Sequence, residues 1–137
     1  MVQSILVPIE LAHTQALETA VLTAGNLAKA NDASITLIGV TGSAPNDAAR
    51  NPNEFEEKLS AYAKQVSLRI GHPVATRTLV DNDVSADLGQ VLVSTAEEMG
   101  ADLIVMASHV PGFIEHIFSS NAGYVASHAK CSVYVVR

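Results

Sequence analysis

The sequence has little of what several classes of protein need. Its 137 residues include no Trp, three Phe, three Tyr and a single Cys. Because aromatic residues are scarce, we expect a core of Ala, Val, Leu and Ile, which suits a buried parallel sheet covered by Ala-rich helices. The lone Cys131 cannot form an internal disulfide, which fits a reducing compartment. It begins an apolar strand, so we expect it to be an inert core thiol.

Positive charge is also scarce. The formal net charge is −6, and no Lys or Arg occurs between Arg77 and Lys130. A nucleic acid or an anionic membrane would require a basic face, so neither is expected as a partner. No charged leader precedes Ile5, and no apolar run approaches the ~18 residues of a membrane span. We therefore expect a soluble cytoplasmic protein with one domain over residues 1–137.

Short apolar runs alternate with helical stripes along the chain. The patterns predict strands at 2–8, 33–40, 73–80, 102–108 and 131–137, with the third near a sheet edge. The stretch 41–53 is rich in Gly, Pro, Asn and Ser and predicts a mobile loop. The expected helix boundaries are an N-cap at Thr14, an N-cap at Asn53 with an end at Gly71, an end at Gly100, and a last helix from about Phe113 or Ser119 to Ala129.

Five alternations of strand and helix predict an α/β fold, an open five-stranded parallel sheet with helices on both faces. Right-handed crossovers and one reversal of direction give the strand order 3-2-1-4-5. Strands one and four are then neighbours at the reversal, where such sheets bind ligands. The residues at these two strand ends are Pro8, Ile9, Glu10, Ala107, Ser108 and His109.

The segment from Leu103 to Tyr124 reads as a strand, a turn and a helix start, an arrangement that holds phosphates on backbone N–H groups. No Walker lysine and no G-x-G-x-x-G pattern occurs, so neither a P-loop nor a dinucleotide site is supported. Phosphates would rest on backbone N–H groups and the hydroxyls of Ser119 and Ser120, with or without a divalent ion. Equally, these small residues could serve only capping and packing.

Other catalytic or metal sites find no support in the sequence. The histidines show no metal-ligand spacing, and nothing marks a nucleophile elbow. His109 is the one histidine in the predicted crevice. Glu10 could accept ribose hydroxyls there or could be a solvated surface residue. The five histidines are His13, His72, His109, His116 and His128.

Four segments carry a resemblance to a known family. They are 5–10 (ILVPIE), 104–109 (IVMASH), 119–122 (SSNA) and 128–137 (HAKCSVYVVR). Together they resemble the universal stress protein family along the whole chain, in the branch with Ser-His-any-Pro after strand four. The resemblance implies a stress-response or regulatory protein that binds an adenine nucleotide (ATP, ADP or AMP), with or without Mg²⁺. It does not imply strong catalytic activity, although weak nucleotide hydrolysis stays open.

The family pattern for phosphate binding is Gly, two residues, Gly, nine residues, Gly, then Ser or Thr. Here Ala107, Val110 and Ser119 replace the three glycines, in a loop one residue shorter, and Ser120 keeps the hydroxyl. By resemblance Glu10 replaces the ribose-binding Asp. The nucleotide-binding residues implied are Pro8, Ile9, Glu10, Val40, Met106, Ala107, Ser108, His109, Val110, Ser119, Ser120 and Asn121, with Val40 and Met106 beside the adenine. Because these glycines are replaced, the alternative is a dimeric interaction protein of the same fold that functions without a nucleotide.

The last predicted strand raises the question of assembly. Val133, Val135 and Val136 would lie on an apolar edge, and such edges pair with other chains unless they are protected. The resemblance implies a homodimer formed through this strand. The interface residues expected are Ser132, Val133, Tyr134, Val135 and Val136.

Overall fold

Five strands and four α-helices alternate along the part of the chain that the structure describes. The computed structural model describes residues 2–108 and 115–137. The elements are β1 (Ser4–Ile9), α1 (Glu18–Asn31), β2 (Ser34–Thr41), α2 (Pro52–Ile70), β3 (Val74–Val80), α3 (Val84–Met99), β4 (Leu103–Ala107), α4 (Glu115–His128) and β5 (Ser132–Val136). The strands form one parallel sheet in the order β3-β2-β1-β4-β5, which confirms the predicted fold.

Two hydrophobic cores lie on opposite faces of this sheet. In β1, Ile5 and Val7 belong to the core under α1 and α2, whereas Leu6 belongs to the core under α3 and α4. This alternation follows from the two-residue period of a strand. Leu59 of α2 and Leu92 of α3 are fully buried, one in each core. Both faces of the central strands are therefore covered, as their continuous apolar runs predict.

The starts of β1 and β4 are joined by a side chain. The Asp102 carboxylate accepts the backbone N–H of Gln3 at 2.9 Å and that of Ser4 at 3.1 Å. Just beyond, Ile5 pairs with Leu103 in parallel register. Two strands almost one hundred residues apart in sequence are thus fixed side by side at the centre of the sheet.

Two predicted helix caps are wrong. The cap of α2 is Asn51 rather than Asn53, and its side chain accepts the N–H of Glu54 at 2.8 Å. Pro52 can occupy the first turn because its missing N–H would have no helical partner there. Thr14 does not cap α1 but lies inside a 3-10 segment, Leu11–Leu17, that precedes the helix.

The predicted helix ends agree better with the structure. Gly71 and Gly100 follow α2 and α3 in the left-handed conformation, with φ of 67° and 68°. Helix α4 begins at Glu115, between the two predicted starts, and ends one residue before Ala129. Phe113, one of those starts, lies outside the described residues. No helix in the described ranges is both long enough and apolar enough to cross a membrane.

The loop between β2 and α2 contains ordered hydrogen bonds. Asn46 accepts the N–H groups of Ala48 and Ala49 through its side-chain oxygen, at 2.9 and 3.1 Å. The Lys58 ammonium of α2 donates to the Ala48 carbonyl at 2.7 Å. The loop therefore contacts α2 in this structure, and its mobility stays a prediction.

Candidate functional site

The ends of β1 and β4 lie next to each other where the strand order reverses. The ladder between these strands is formed by Ile5 with Leu103 and by Leu6 with Ile104. It stops before Pro8, which has no N–H to donate. The strand ends beyond this point carry Pro8, Ile9, Glu10, Ala107 and Ser108, which the sequence predicts for the ligand site.

Glu10 follows β1 and begins the 3-10 segment. Its carboxylate accepts the N–H of Ala12 at 3.1 Å, and its carbonyl accepts the N–H of His13 at 3.1 Å. Burial raises the pKa of the Glu10 carboxyl, against the opposing effects of the Ala12 hydrogen bond and of His13. A carboxylate has acceptor capacity for several donors, so the Ala12 contact does not by itself prevent binding of a ribose hydroxyl.

Val40 and Met106 lie on the same face of the sheet, the face covered by α3 and α4. Val40 is half-buried, whereas Met106 has no exposed surface. Ala107 points to the opposite face and belongs to the other core. The two residues expected beside an adenine are thus on one side, but in this structure the Met106 side chain is enclosed by protein.

Ser108 joins the end of β4 to the end of β5. Its N–H donates to the Val136 carbonyl at 2.9 Å, and its hydroxyl donates to the same oxygen at 3.2 Å. A phosphate held by these two donors would have to displace Val136. The Ser108 donors are therefore engaged in sheet structure.

Helix α4 carries the remaining predicted phosphate contacts. Because α4 begins at Glu115, the backbone of Ser119 and Ser120 lies in its second turn, beyond the N–H groups that a helix start leaves unpaired. Asn121 is buried, and its side-chain oxygen accepts the N–H of Gly89 in α3 at 3.0 Å. His109 and Val110 lie outside the described residues.

The whole sequence, residues 1–137, matches the universal stress protein family. The chain belongs to that family. Universal stress protein G of Shigella flexneri is 30% identical over 143 residues, with 100% of each chain covered. The match between this universal stress protein and its relative thus extends over both whole chains, which confirms the family resemblance found in the sequence.

Solved structures show the same fold. A universal stress protein from Archaeoglobus fulgidus has a TM-score of 0.75 at 19% identity, covering 100% of both chains. A structure of the Archaeoglobus fulgidus universal stress protein in complex with dAMP has a TM-score of 0.73 at 20% identity, again covering 100% of both chains. At these identities the likeness concerns the architecture.

Two contacts of the predicted site residues of this universal stress protein, one of Glu10 and one of Asn121, were not predicted from the sequence. Asp47, in the loop after β2, adds negative charge near Glu10 and raises the pKa of that carboxyl further. Gly89 donates its N–H to Asn121 across the α3–α4 contact. An isolated glycine inside a helical pattern is a signal of close approach, so Gly89 could have been singled out. No sequence signal connects Asp47 with Glu10.

The described part of the universal stress protein shows no group of three or more His, Cys, Asp or Glu side chains that could hold a metal ion. The β4 end of the candidate crevice also lies within the long interval that has no Lys or Arg. On the β4 side, backbone N–H groups and hydroxyls are therefore donors that the chain offers to an anion, whereas Lys58 lies near the β1 side, at the loop that contains Asp47.

Proposed function

We propose that this universal stress protein binds an adenine nucleotide at the ends of β1 and β4 and acts as a dimeric stress-response or regulatory protein in the cytoplasm. The observation that carries the proposal is the sheet order, which places these two strand ends together at the reversal. Open α/β sheets bind ligands at such a position. The dAMP complex of the Archaeoglobus fulgidus relative, which has the same fold, supports an adenine nucleotide.

The residues divide into two sides of one ligand. Glu10, Val40 and Met106 would contact the ribose and the adenine, with Pro8 and Ile9 forming the wall below. The phosphate side would be formed by Ala107, Ser108, His109, Val110, Ser119 and Ser120. Because Met106 is enclosed and the Ser108 donors are engaged, we expect nucleotide binding to require local adjustment at the end of β4.

The number of phosphates matters because the chain offers few cations near this site. Without a Lys or Arg between Arg77 and Lys130, each further phosphate adds negative charge that no Lys or Arg of β4 or α4 neutralises. We therefore expect Mg²⁺ to strengthen ATP binding and to leave AMP binding unchanged. Calorimetric titration with AMP, ADP and ATP, each with and without Mg²⁺, measures this directly. The same dissociation constant for AMP and GMP would contradict an adenine site.

A matched pair of variants tests the position of the site. Glu10→Ala removes the proposed ribose contact, and Glu56→Ala removes an equal charge from the exposed surface of α2. A hydrogen bond to a charged group contributes ~1.5–3 kcal/mol, so we expect AMP binding to weaken about tenfold or more in the Glu10 variant. Unchanged affinity in Glu10→Ala, with Glu56→Ala as the reference, would place the ligand elsewhere.

A second function, protein interaction without a nucleotide, is favoured by one feature of the structure. Within the fold, Ser108 uses its donors on the Val136 carbonyl, and Asn121 uses its side-chain oxygen to accept the Gly89 N–H. Acid extraction of the purified protein, followed by chromatography of the extract, separates the two functions. Co-purifying adenine nucleotide supports the first, whereas an empty extract together with no heat of titration supports the second. A phosphate-release assay with ATP tests for catalysis, and we expect little turnover.

A further inference from the structure

Asn121 occupies the contact between α3 and α4. Its side chain is 8% exposed, and Oδ1 accepts the backbone N–H of Gly89 at 3.0 Å. The two residues are 32 positions apart in the sequence. A hydrogen bond has a narrow range of favourable distances and angles. Loss of a buried one leaves a polar group without a partner in an apolar environment, so this contact favours one arrangement of the two helices.

The backbone of Gly89 takes part in this contact because it has no Cβ. A Cβ at this position would lie 2.9 Å from Asn121 Oδ1 and 2.8 Å from Tyr124 Cδ1. Both distances are shorter than van der Waals contact, so any larger residue would force the Asn121 and Tyr124 side chains to move. The glycine and the amide therefore fit each other as a pair, and together with the apolar contacts of the core they contribute to where α4 lies on α3.

In α4 the pair adjoins two residues that the sequence predicts as phosphate contacts. Ser119 and Ser120 immediately precede Asn121 in α4, and a helix transmits the position of one residue to its neighbours. Helix α3 is itself fixed in the core by Leu88 and Leu92. A displacement of Asn121 from Gly89 would therefore move the backbone of both serines relative to the ends of β1 and β4.

We propose that Asn121 is a positioning residue, which holds Ser119 and Ser120 in place through Gly89 and does not itself contact the nucleotide. This inference rests on the proposed function, because the two serines are phosphate contacts only if a nucleotide binds. It also assigns a role to Gly89, which lies on a different helix from the predicted phosphate residues.

A double-mutant cycle tests the inference. Asn121→Leu removes the acceptor, Gly89→Ala puts a Cβ against the Asn121 and Tyr124 side chains, and both changes disturb the same contact. We expect each single variant to weaken AMP binding about tenfold, and the double variant to be no weaker than the worse single variant. Gly123→Ala, in α4 with nothing within 4 Å of the added Cβ, is the matched control and should bind AMP like the unaltered protein. Unchanged affinity in Gly89→Ala, or additive losses, would make Asn121 a direct ligand and overturn the proposal.

A measurement on the unaltered protein covers the case in which a variant fails to fold. In the NMR spectrum we expect a through-hydrogen-bond coupling between the Gly89 amide nitrogen and the Asn121 side-chain carbonyl. The Asn121 side-chain amide signals should keep their shifts when AMP is added. Absence of the coupling, or a large AMP-induced shift of these signals, would overturn the positioning role. If AMP does not bind at all, the proposed function fails, and the coupling then tests the Asn121–Gly89 contact alone.

Discussion

Met106 is enclosed on all sides in the core that contains Leu92 and Ile104, with no exposed surface. Truncation of such a side chain removes buried contacts and leaves a cavity, so Met106→Ala should lower the free energy of unfolding by ~2–4 kcal/mol. Urea denaturation measures this value. Leu68→Ala is the control, because Leu68 is 86% exposed and its truncation should change stability by less than about 0.5 kcal/mol. Little loss of stability together with a loss of AMP affinity would instead show that Met106 lines an open pocket.

Glu10 should make stability depend on pH. Burial raises the pKa of its carboxyl above the ordinary value of 4.5, so the folded protein holds this proton more tightly than the unfolded chain does. The resulting stabilisation is complete below the unfolded pKa and is lost as the pH rises through the folded pKa. Glu10→Gln keeps an acceptor for Ala12 and carries no charge. We therefore expect the melting temperature of Glu10→Gln to exceed that of the unaltered protein at neutral pH, with the difference vanishing below about pH 4.

The measurement for Glu10 is a series of thermal melts of both proteins across this pH range. Glu56→Gln removes one negative charge from an exposed position and serves as the reference. An equal pH dependence in the two variants would show that net charge, and not the burial of Glu10, is responsible.

Among the helices, α2 offers a direct test of its own boundary. Asn51→Ala removes the side-chain oxygen that accepts the N–H of Glu54, and loss of such a cap costs about 1 kcal/mol. Asn53→Ala changes an exposed residue inside the first turn and should be close to neutral. Chemical denaturation of the two variants decides which asparagine is the cap. The larger loss in Asn53→Ala would restore the boundary predicted from the sequence.

The contact between α3 and α4 makes a second prediction for the helices. Gly89→Ala gains helix propensity, but overpacking against Tyr124 costs ~1–3 kcal/mol, so we expect a net destabilisation of about 1 kcal/mol. Gly123→Ala, which has open space around its Cβ, should instead stabilise the protein by ~0.5–1 kcal/mol. Opposite signs in the two denaturation curves would support the close approach. Stabilisation by both changes would contradict it.

The helices also show which features the sequence can predict. The inward stripe of α2, which includes Phe55, Leu59 and Val66, is buried as its spacing indicates, because burial of an apolar face is a periodic property. A cap depends on one local hydrogen bond, and two asparagines flank Pro52. The proline itself was the missed signal, since it favours the first helical position and points to Asn51.

The candidate site is harder to predict because its contacts are tertiary. The adjacent position of β1 and β4 in the sheet follows from topology rules, and the structure confirms it. The Asn121 partner in α3 and the Asp47 charge near Glu10 depend on distances between elements far apart in the chain. The sequence pattern therefore indicates which strand ends meet, but it does not indicate which of their donors are already used.

At the scale of the whole molecule, the two edges of the sheet differ. The β3 edge carries polar residues such as Thr76, and its Arg77 pairs with Glu98 at 3.2 Å. The β5 edge carries half-buried valines and Tyr134, which is 49% exposed. An apolar edge with unpaired backbone groups is the one expected to pair with a second chain. The proposed homodimer therefore places β5 at its interface.

Charge added to each edge tests this assembly. Tyr134→Lys would bring two positive charges together across a two-fold β5 interface, so we expect the dimer dissociation constant to rise about tenfold or more. Thr76→Lys adds the same charge to the β3 edge and should leave the dimer intact. Sedimentation equilibrium at micromolar concentration measures both, with thermal melts to show that each variant is folded. A monomeric unaltered protein would remove the dimer from the proposed function. Dissociation by Thr76→Lys but not by Tyr134→Lys would instead place the interface at β3.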